Sequence, residues 1–105
     1  MTKKALIICA AGMSSSMMAK KVTELLKTKG DDIQVDAINV SEGDKAIRNS
    51  EFDLYMVSPQ AKMYFPKLEL AAKSVDKPII SIPPQAYIPI PMGLEKMATL
   101  IKENV

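Results

Sequence analysis

A single cysteine followed by small and hydroxylated residues is the part of this sequence best suited to covalent chemistry. Cys9 ends the apolar run Ala5–Cys9, and the segment Ala10-Ala11-Gly12-Met13-Ser14-Ser15-Ser16 follows it. Small residues let the backbone fold around an anion, which successive amide groups and serine hydroxyls can then bind. The same amides stabilise a thiolate, the nucleophilic form of cysteine. We therefore predict that Cys9 carries a phosphoryl group and that residues 10–16 form the loop that binds its phosphate.

The same residues also fit two plainer interpretations. A lone cysteine at the end of an apolar strand is often a small buried hydrophobic residue. Serines at the start of a helix often cap its backbone amides instead of binding a ligand. A binding module with an inert cysteine therefore stays open beside the phosphoryl carrier.

Several residue types on which catalytic sites depend are absent from the chain. It has no histidine, which excludes a catalytic imidazole and most zinc sites within this chain. Its one cysteine excludes an intramolecular disulfide. The acidic residues of the predicted turns and helix starts show no pattern typical of metal ligands. We therefore predict neither a metal ion nor another cofactor.

The position of the arginine favours a phosphoryl carrier over a hydrolase. A cysteine-dependent phosphatase grips the phosphate with an arginine six residues after its cysteine, and Ser15 occupies that position here. The only arginine, Arg48, lies in the second predicted helix, and Pro83–Pro91 contains no carboxylate that could act as a general acid. The site therefore suits a carrier that holds a phosphoryl group without hydrolysing it. A phosphatase or thiol reductase of similar topology is the alternative.

Apolar strands alternate with amphipathic helices along the chain. This alternation predicts an open α/β sheet whose strands are joined by right-handed crossovers. Gly30 is expected to end the first helix, and Pro66 to kink the third or to be the first residue (N1) of its main part. The predicted strands are 5–9, 33–40, 52–57 and 78–82, and the predicted helices are 15–29, 41–49, 60–74 and 93–104.

Three connections of the predicted fold meet at one edge of the sheet. Open α/β sheets bind ligands beyond the carboxyl ends of their strands. The connections at that edge are Cys9–Ser16, Ser58–Gln60 and Pro83–Pro91. From the last two, Gln60 and Tyr87 are candidates to donate hydrogen bonds into the site, although each also suits a structural role.

Length and charge limit the remaining possibilities. The 105 residues are enough for one hydrophobic core, so residues 1–105 are predicted to form one domain. A formal net charge of +2 is too small to indicate a nucleic-acid or membrane surface. The longest apolar stretch, Ala5–Met13, is far shorter than the ~18 residues of a membrane span. Without a recognisable secretory signal, we expect a cytoplasmic protein with no membrane insertion.

The segment from Leu6 to Ser16 resembles the signature of a known family. In the enzyme IIB component of the lactose/cellobiose (diacetylchitobiose) phosphotransferase system, an apolar strand leads into Cys-x-Ala-Gly-Met-Ser-Thr/Ser-Ser. Ser58-Pro59-Gln60 is similar to the Gly-Pro-Gln of that family, and Pro66 and Lys77-Pro78 are similarly placed. The resemblance covers essentially the whole chain, and the cysteine loop is its most specific part.

The resemblance implies both a fold and a reaction. The fold would be a four-stranded parallel sheet flanked by helices, similar in topology to low-molecular-weight tyrosine phosphatases. Cys9 would accept a phosphoryl group from a phosphohistidine of enzyme IIA, with residues 10–16 binding the phosphate. The group would pass to a sugar such as cellobiose, chitobiose or lactose, which the membrane component IIC transports. The absence of histidine agrees, since the histidine of this relay belongs to other components.

This chain departs from the family's pattern at two connections. Ser58 stands where family members often have glycine. The segment 82–89, Ile-Pro-Pro-Gln-Ala-Tyr-Ile-Pro, keeps the tyrosine but lacks an aspartate and a glycine often found there. The resemblance therefore says least about the identity of the sugar and about the surface that meets IIA or IIC.

Overall fold

Strands and helices alternate along the chain as predicted. A computed structural model describes residues 2–10, 12–88 and 90–105, without the side chains of residues 12–15. The described strands and α-helices, in chain order, are β1 (Lys3–Cys9), α1 (Gly12–Thr28), β2 (Ile33–Asn39), α2 (Gly43–Arg48), β3 (Leu54–Val57), α3 (Phe65–Ser74), β4 (Ile79–Ser81) and α4 (Pro91–Asn104). Short 3-10 segments lie at Val40–Glu42, Pro59–Tyr64 and Pro84–Ala86.

The strands form one parallel sheet in the order β2-β1-β3-β4. This arrangement confirms the predicted open four-stranded parallel sheet. The chain passes from β1 outward to β2 on one side, and from β3 outward to β4 on the other. The winding direction therefore changes between β1 and β3, the two central strands.

Each face of the sheet has its own hydrophobic core. The core under α1 and α4 includes Ala5, Ile7, Leu54 and Met56 of the sheet, Met18, Val22 and Leu26 of α1, and Met97, Ala98 and Ile101 of α4. The core under α2 and α3 includes Leu6, Ile8, Tyr55, Val57, Ile47 and Leu68. Burial on both faces explains why β1 has a continuous apolar run instead of an alternating pattern.

Gly30 ends α1, as the sequence predicts. Its φ of +83° lies in the left-handed region that glycine adopts without steric strain. The Gly30 N–H donates to the Lys27 carbonyl at 3.1 Å, and the Asp31 N–H donates to the Leu26 carbonyl at 2.9 Å. This Schellman-type pair satisfies carbonyls at the helix end and turns the chain toward the start of β2.

Three predicted helix starts are wrong by a few residues. The structure begins α1 at Gly12 instead of about Ser15, α2 at Gly43 instead of Ser41, and α4 at Pro91 instead of Gly93. The first-turn amides of a helix have no intrahelical partner, so small and hydroxylated residues suit that turn of α1. Proline suits the start of α4 because its fixed φ is helical and its missing N–H is not needed there.

The third predicted strand and the helix after it also differ in extent. Strand β3 begins at Leu54 instead of Phe52, because the Phe52 N–H donates to the Tyr55 hydroxyl at 3.4 Å and not to a neighbouring strand. The predicted helix 60–74 divides into a 3-10 segment and α3, with Pro66 in the first turn of α3. Pro66 is therefore the second residue of α3, one position after the predicted N1, where its missing N–H is likewise not needed.

Candidate functional site

The carboxyl ends of β1 and β3 form the centre of the candidate site. Open α/β sheets bind ligands where the winding direction changes, which in this sheet is the crevice between these two strands. Cys9 ends β1 and Ser58 directly follows β3. The Ser58 N–H donates to the Ile8 carbonyl at 2.9 Å, which extends the Ile8–Val57 register by one residue. Cys9 and Ser58 are therefore lateral neighbours.

Cys9 has a buried side chain that lies on the α1 side of the sheet. Successive side chains of a strand alternate between faces, so Cys9 shares the face of Ile7, which packs in the core under α1 and α4. Its side chain is 1% exposed, and its thiol donates to the Ile38 carbonyl of β2 at 3.5 Å. A phosphoryl group on this sulfur would extend from the sheet toward the start of α1.

The start of α1 supplies positive electrostatic potential beside Cys9. The helix begins at Gly12, three residues after the cysteine, and runs for 17 residues with no acidic residue in its first turn. Unpaired amides and the helix dipole make such an N-terminus favourable for an anion. Residues 12–16, predicted as a loop, are the first turns of this helix. Ala10 is an exposed residue that follows β1, and Ala11 lies outside the described residues.

Ser58 is a further candidate site residue, which the sequence did not single out. Its side chain is completely buried, and its hydroxyl finds no hydrogen-bond partner within the described part of the chain. The sequence signal that could have identified it is a hydroxyl directly after an apolar strand, at the edge of the sheet where Cys9 lies. In the sequence, Ser58 stands out as the first residue of the connection after the third strand and as a departure from the family's glycine, but not as a candidate ligand.

The two other predicted contact residues lie on the expected connections. Gln60 is exposed on the 3-10 segment after β3. Tyr87 follows the 3-10 segment after β4, packs partly buried against the core under α1 and α4, and donates its N–H to the Pro84 carbonyl at 3.1 Å. A contact of either side chain with a phosphate at Cys9 stays a prediction.

Arg48 lies at the opposite edge of the sheet from Cys9. It is the last residue of α2, which returns the chain from the carboxyl end of β2 toward the amino end of β3. Its guanidinium Nε forms an ion pair with the Asp44 carboxylate at 2.9 Å. The structure therefore supplies no arginine from α2 to a phosphate at Cys9, in agreement with the sequence argument against a phosphatase.

The described residues contain neither a cluster of metal ligands nor a membrane-spanning helix. Among the described residues, no cluster of three or more cysteine, aspartate or glutamate side chains has the arrangement of a metal site. In the same part of the chain, no helix combines the length and the apolar character that crossing a membrane requires.

Exposed apolar side chains lie on the connections that follow β3 and β4. They are Met63 and Tyr64 after β3, Ile88 and Ile90 between β4 and α4, and Met92 in the first turn of α4. Met17 is also exposed, one turn into α1. The side chain of Met13 lies outside the described part of the structure. Exposed apolar groups near one another are typical of surfaces that contact other proteins.

Comparison with known protein families gives one match over nearly the whole chain. The model of the family described as "PTS system, Lactose/Cellobiose specific IIB subunit" matches residues 4–102. The matched region contains Cys9, Ser58 and the connections after β3 and β4. No curated protein matches the chain significantly.

Two solved structures are similar over almost their entire length. The lactose-specific IIB component domain of the phosphoenolpyruvate:carbohydrate phosphotransferase system from Streptococcus pneumoniae has a TM-score of 0.83 at 17% sequence identity, with 99% of this chain and 98% of that chain covered. The cellobiose-specific phosphotransferase IIB component protein from Borrelia burgdorferi has a TM-score of 0.74 at 26% identity, with 99% and 92% covered. The fold of this chain is therefore the fold of these IIB structures.

Proposed function

This chain belongs to the lactose/cellobiose-specific IIB subunit family of the PTS system, and from that membership we propose that Cys9 is its phosphoryl acceptor. Family membership supports a phosphotransfer role in sugar uptake. In the proposed reaction, Cys9 receives a phosphoryl group from a phosphohistidine of a IIA component. It then passes the group to a sugar held by the membrane component IIC, so the chain acts as a protein-phosphocysteine–sugar phosphotransferase.

The position of Cys9 is the observation that carries this proposal. The thiol lies at the end of a central strand, at the point where the winding direction changes, and α1 begins three residues later. The unpaired amides at the start of α1 favour the negative charge of a thiolate and then of a phosphoryl group. Residues 10–16 are the proposed phosphate-binding segment.

The proposed transfer occurs in two displacements that balance. In the first, the Cys9 thiolate attacks the phosphorus of the phosphohistidine, an S–P bond forms, the P–N bond breaks, and the imidazole keeps the electron pair. In the second, a sugar hydroxyl oxygen attacks the same phosphorus, the S–P bond breaks, and the thiolate is restored while the hydroxyl proton leaves to a base. The chain ends each cycle unchanged, as a carrier must.

The partners and location follow from the same scheme. A IIA protein and the cytoplasmic side of IIC are the proposed partners, and the sugar is proposed to be a β-linked disaccharide of the cellobiose, chitobiose or lactose type. The exposed apolar side chains Met63, Tyr64, Ile88 and Met92 are suited to such protein contacts. We place the chain in the cytoplasm, where phosphoenolpyruvate supplies the phosphoryl groups, and assign it no metal, other cofactor or nucleic acid.

The first test is intact-mass measurement after incubation with phosphoenolpyruvate, the general phosphotransferase proteins and a lactose/cellobiose-type IIA. We expect the wild type to gain the mass of one phosphoryl group. The Cys9→Ser variant is nearly isosteric, so it should fold normally and gain nothing. Phosphorylation of both proteins, or of neither with several active IIA donors, would contradict the assignment of Cys9.

The same samples distinguish the carrier from the hydrolase alternative. A carrier keeps its phosphoryl group until an acceptor is added, whereas a phosphatase releases inorganic phosphate continuously. We expect no sustained hydrolysis of p-nitrophenyl phosphate, because α2 holds Arg48 at the other edge of the sheet, paired with Asp44. Steady turnover that Cys9→Ser abolishes would favour the phosphatase.

A further inference from the structure

Ser58 buries a hydroxyl group whose hydrogen-bonding capacity is unused. Its side chain is 0% exposed, and its Oγ has no partner within the described residues. A buried hydroxyl without a partner destabilises a fold, because it loses its bonds to water and gains none in return. The stability of the unphosphorylated protein therefore does not explain why a hydroxyl group lies at this position.

The usual structural role of a serine at this position is not fulfilled. Ser58 is the N-cap of the 3-10 segment Pro59–Tyr64, yet its side chain makes no capping hydrogen bond. Asn39 occupies the equivalent position at the end of β2, on the other side of Cys9. The Asn39 Oδ1 accepts a hydrogen bond from the Ser41 N–H at 3.0 Å. The Asn39 side chain therefore caps the 3-10 segment that follows it, whereas the Ser58 side chain does not.

The Ser58 hydroxyl and the Cys9 thiol lie on the same side of the sheet. Ser58 follows Met56 in alternation, as Cys9 follows Ile7, and both of these apolar residues pack in the core under α1 and α4. The extended backbone of Ser58, with φ −66° and ψ 158°, continues the alternation past the end of β3. Neighbouring strands are about 4.8 Å apart. The two side chains are therefore adjacent, beneath the start of α1.

We propose that the Ser58 hydroxyl is a hydrogen-bond donor to the phosphoryl group carried on Cys9. The inference rests on the proposed function and adds one ligand to it, from β3, opposite the amides of α1. An oxygen of the phosphoryl group extends beyond the sulfur and accepts the Ser58 O–H. The bond satisfies the buried hydroxyl only in the phosphorylated state. Ser58 thus stabilises phosphocysteine relative to free thiolate and takes no part in bond breaking.

The test compares Ser58→Ala and Ser58→Gly with the wild type in both phosphorylation states. The matched control is Ser81→Ala, the same substitution at an exposed serine that ends the neighbouring strand β4. Phosphoryl exchange with a phosphorylated IIA gives the equilibrium fraction of phospho-Cys9. The ³¹P resonance of phosphocysteine reports the surroundings of the phosphoryl group. Thermal unfolding of the unphosphorylated proteins reports the cost of the buried hydroxyl.

The proposal predicts opposite effects in the two states. Loss of a hydrogen bond to a charged group lowers the equilibrium constant for phosphorylation of Cys9 about tenfold in Ser58→Ala. The ³¹P resonance shifts, and Ser58→Gly, which also lacks the hydroxyl, loses phosphorylation to a similar extent. The unfolding temperature of unphosphorylated Ser58→Ala stays the same or rises, because an unsatisfied buried hydroxyl is removed. Ser81→Ala changes none of these quantities.

Three results would overturn the inference, and they are distinguishable from one another. If the wild type accepts a phosphoryl group and Ser58→Ala matches it in equilibrium and ³¹P resonance, the role of Ser58 is wrong and the carrier function stands. The same conclusion follows if Ser58→Ala destabilises the unphosphorylated protein, because the hydroxyl is then structural. If the wild type accepts no phosphoryl group from active IIA donors, the proposed function fails together with the inference.

Discussion

Strand β3 buries a hydroxyl group at each end, and the two differ in their hydrogen bonding. At the amino edge of the sheet, the Tyr55 hydroxyl accepts from the Phe52 N–H and donates to the Ala46 carbonyl, both at 3.4 Å. At the carboxyl edge, the Ser58 hydroxyl has no partner within the described residues. Both side chains are 0% exposed, so burial does not explain the difference.

The same contrast extends to the two edges of the sheet. At the amino edge, the Lys4 N–H donates to the Asp53 carboxylate at 2.8 Å, and the Thr2 hydroxyl donates to the Asp32 carboxylate at 2.9 Å. At the carboxyl edge lie a buried thiol, a buried hydroxyl that has no hydrogen-bond partner in the described part of the chain, and the start of α1. Among the described residues, the one buried side-chain oxygen at the amino edge that accepts no hydrogen bond, Oδ2 of Asp31, is ion-paired with Lys102 at 3.2 Å, whereas the Ser58 hydroxyl at the carboxyl edge has neither kind of partner.

Gly93→Ala gives the largest expected change in stability, and it tests whether the carboxyl side of the sheet is tightly packed. A Cβ at this position would overlap the Ile88 carbonyl oxygen, which belongs to the backbone and cannot rotate away. We expect a loss of about 2–3 kcal/mol in the free energy of unfolding, measured by urea denaturation. Alanine normally stabilises a helix relative to glycine by about 0.5–1 kcal/mol. Helix propensity alone would therefore predict that Gly93→Ala stabilises the protein, whereas we expect it to destabilise the protein.

A neutral or stabilising Gly93→Ala would change the comparison between the edges. It would mean that the connection between β4 and α4 moves easily to accommodate a methyl group. Incomplete hydrogen bonding at the carboxyl edge would then reflect loose packing, and Ser58 would need no ligand to explain it.

Gly30→Ala tests the amino edge, with a smaller effect. A Cβ at Gly30 would meet no atom within 4 Å, so the cost arises only from the φ of +83°. An L-residue in this left-handed conformation costs about 1–2 kcal/mol. We expect that loss in the free energy of unfolding, with the extent of Cys9 phosphorylation unchanged at temperatures where the variant is folded. A variant that folds normally but accepts less phosphate would show that the amino edge also affects the chemistry.

Local patterns in the sequence predicted most of the elements, the fold class and the family. The apolar run before Cys9, the periodicity of α1 and the glycine at position 30 are local signals, and they predicted the elements and the parallel α/β class correctly. The resemblance around Cys9 predicted the family. The start of α1 at Gly12 was missed, because glycine and serines suit a helix's first turn as well as a loop.

The position of Ser58 directly beside Cys9 could not be predicted, because it depends on non-local strand pairing. Only the order β2-β1-β3-β4 makes β3 the neighbour of β1, and only the register places Ser58 beside Cys9. A shift of the register by one residue would turn the hydroxyl to the other face of the sheet. No local pattern in the sequence specifies either property, so the unbonded hydroxyl became visible only in the structure.

Tyr55→Phe gives the smallest effect and tests the bonded hydroxyl of β3 directly. Burial raises the pKa of Tyr55 above 10.0, the negative charges of Glu51 and Asp53 add to this, and the hydrogen bond from Phe52 opposes it. The unfolded chain therefore ionises this tyrosine at lower pH than the folded protein does, so wild-type stability declines as the pH rises above 10.

At neutral pH, the loss of two long hydrogen bonds in Tyr55→Phe should cost about 0.5–1 kcal/mol. Above pH 10 the difference between the two proteins should shrink, because only the wild type carries the ionisation penalty. Urea denaturation at pH 7 and at pH 10.5 measures both quantities. A difference that stays constant would show that the folded protein ionises Tyr55 as readily as the unfolded chain, and one that grows with pH would show that it does so more readily.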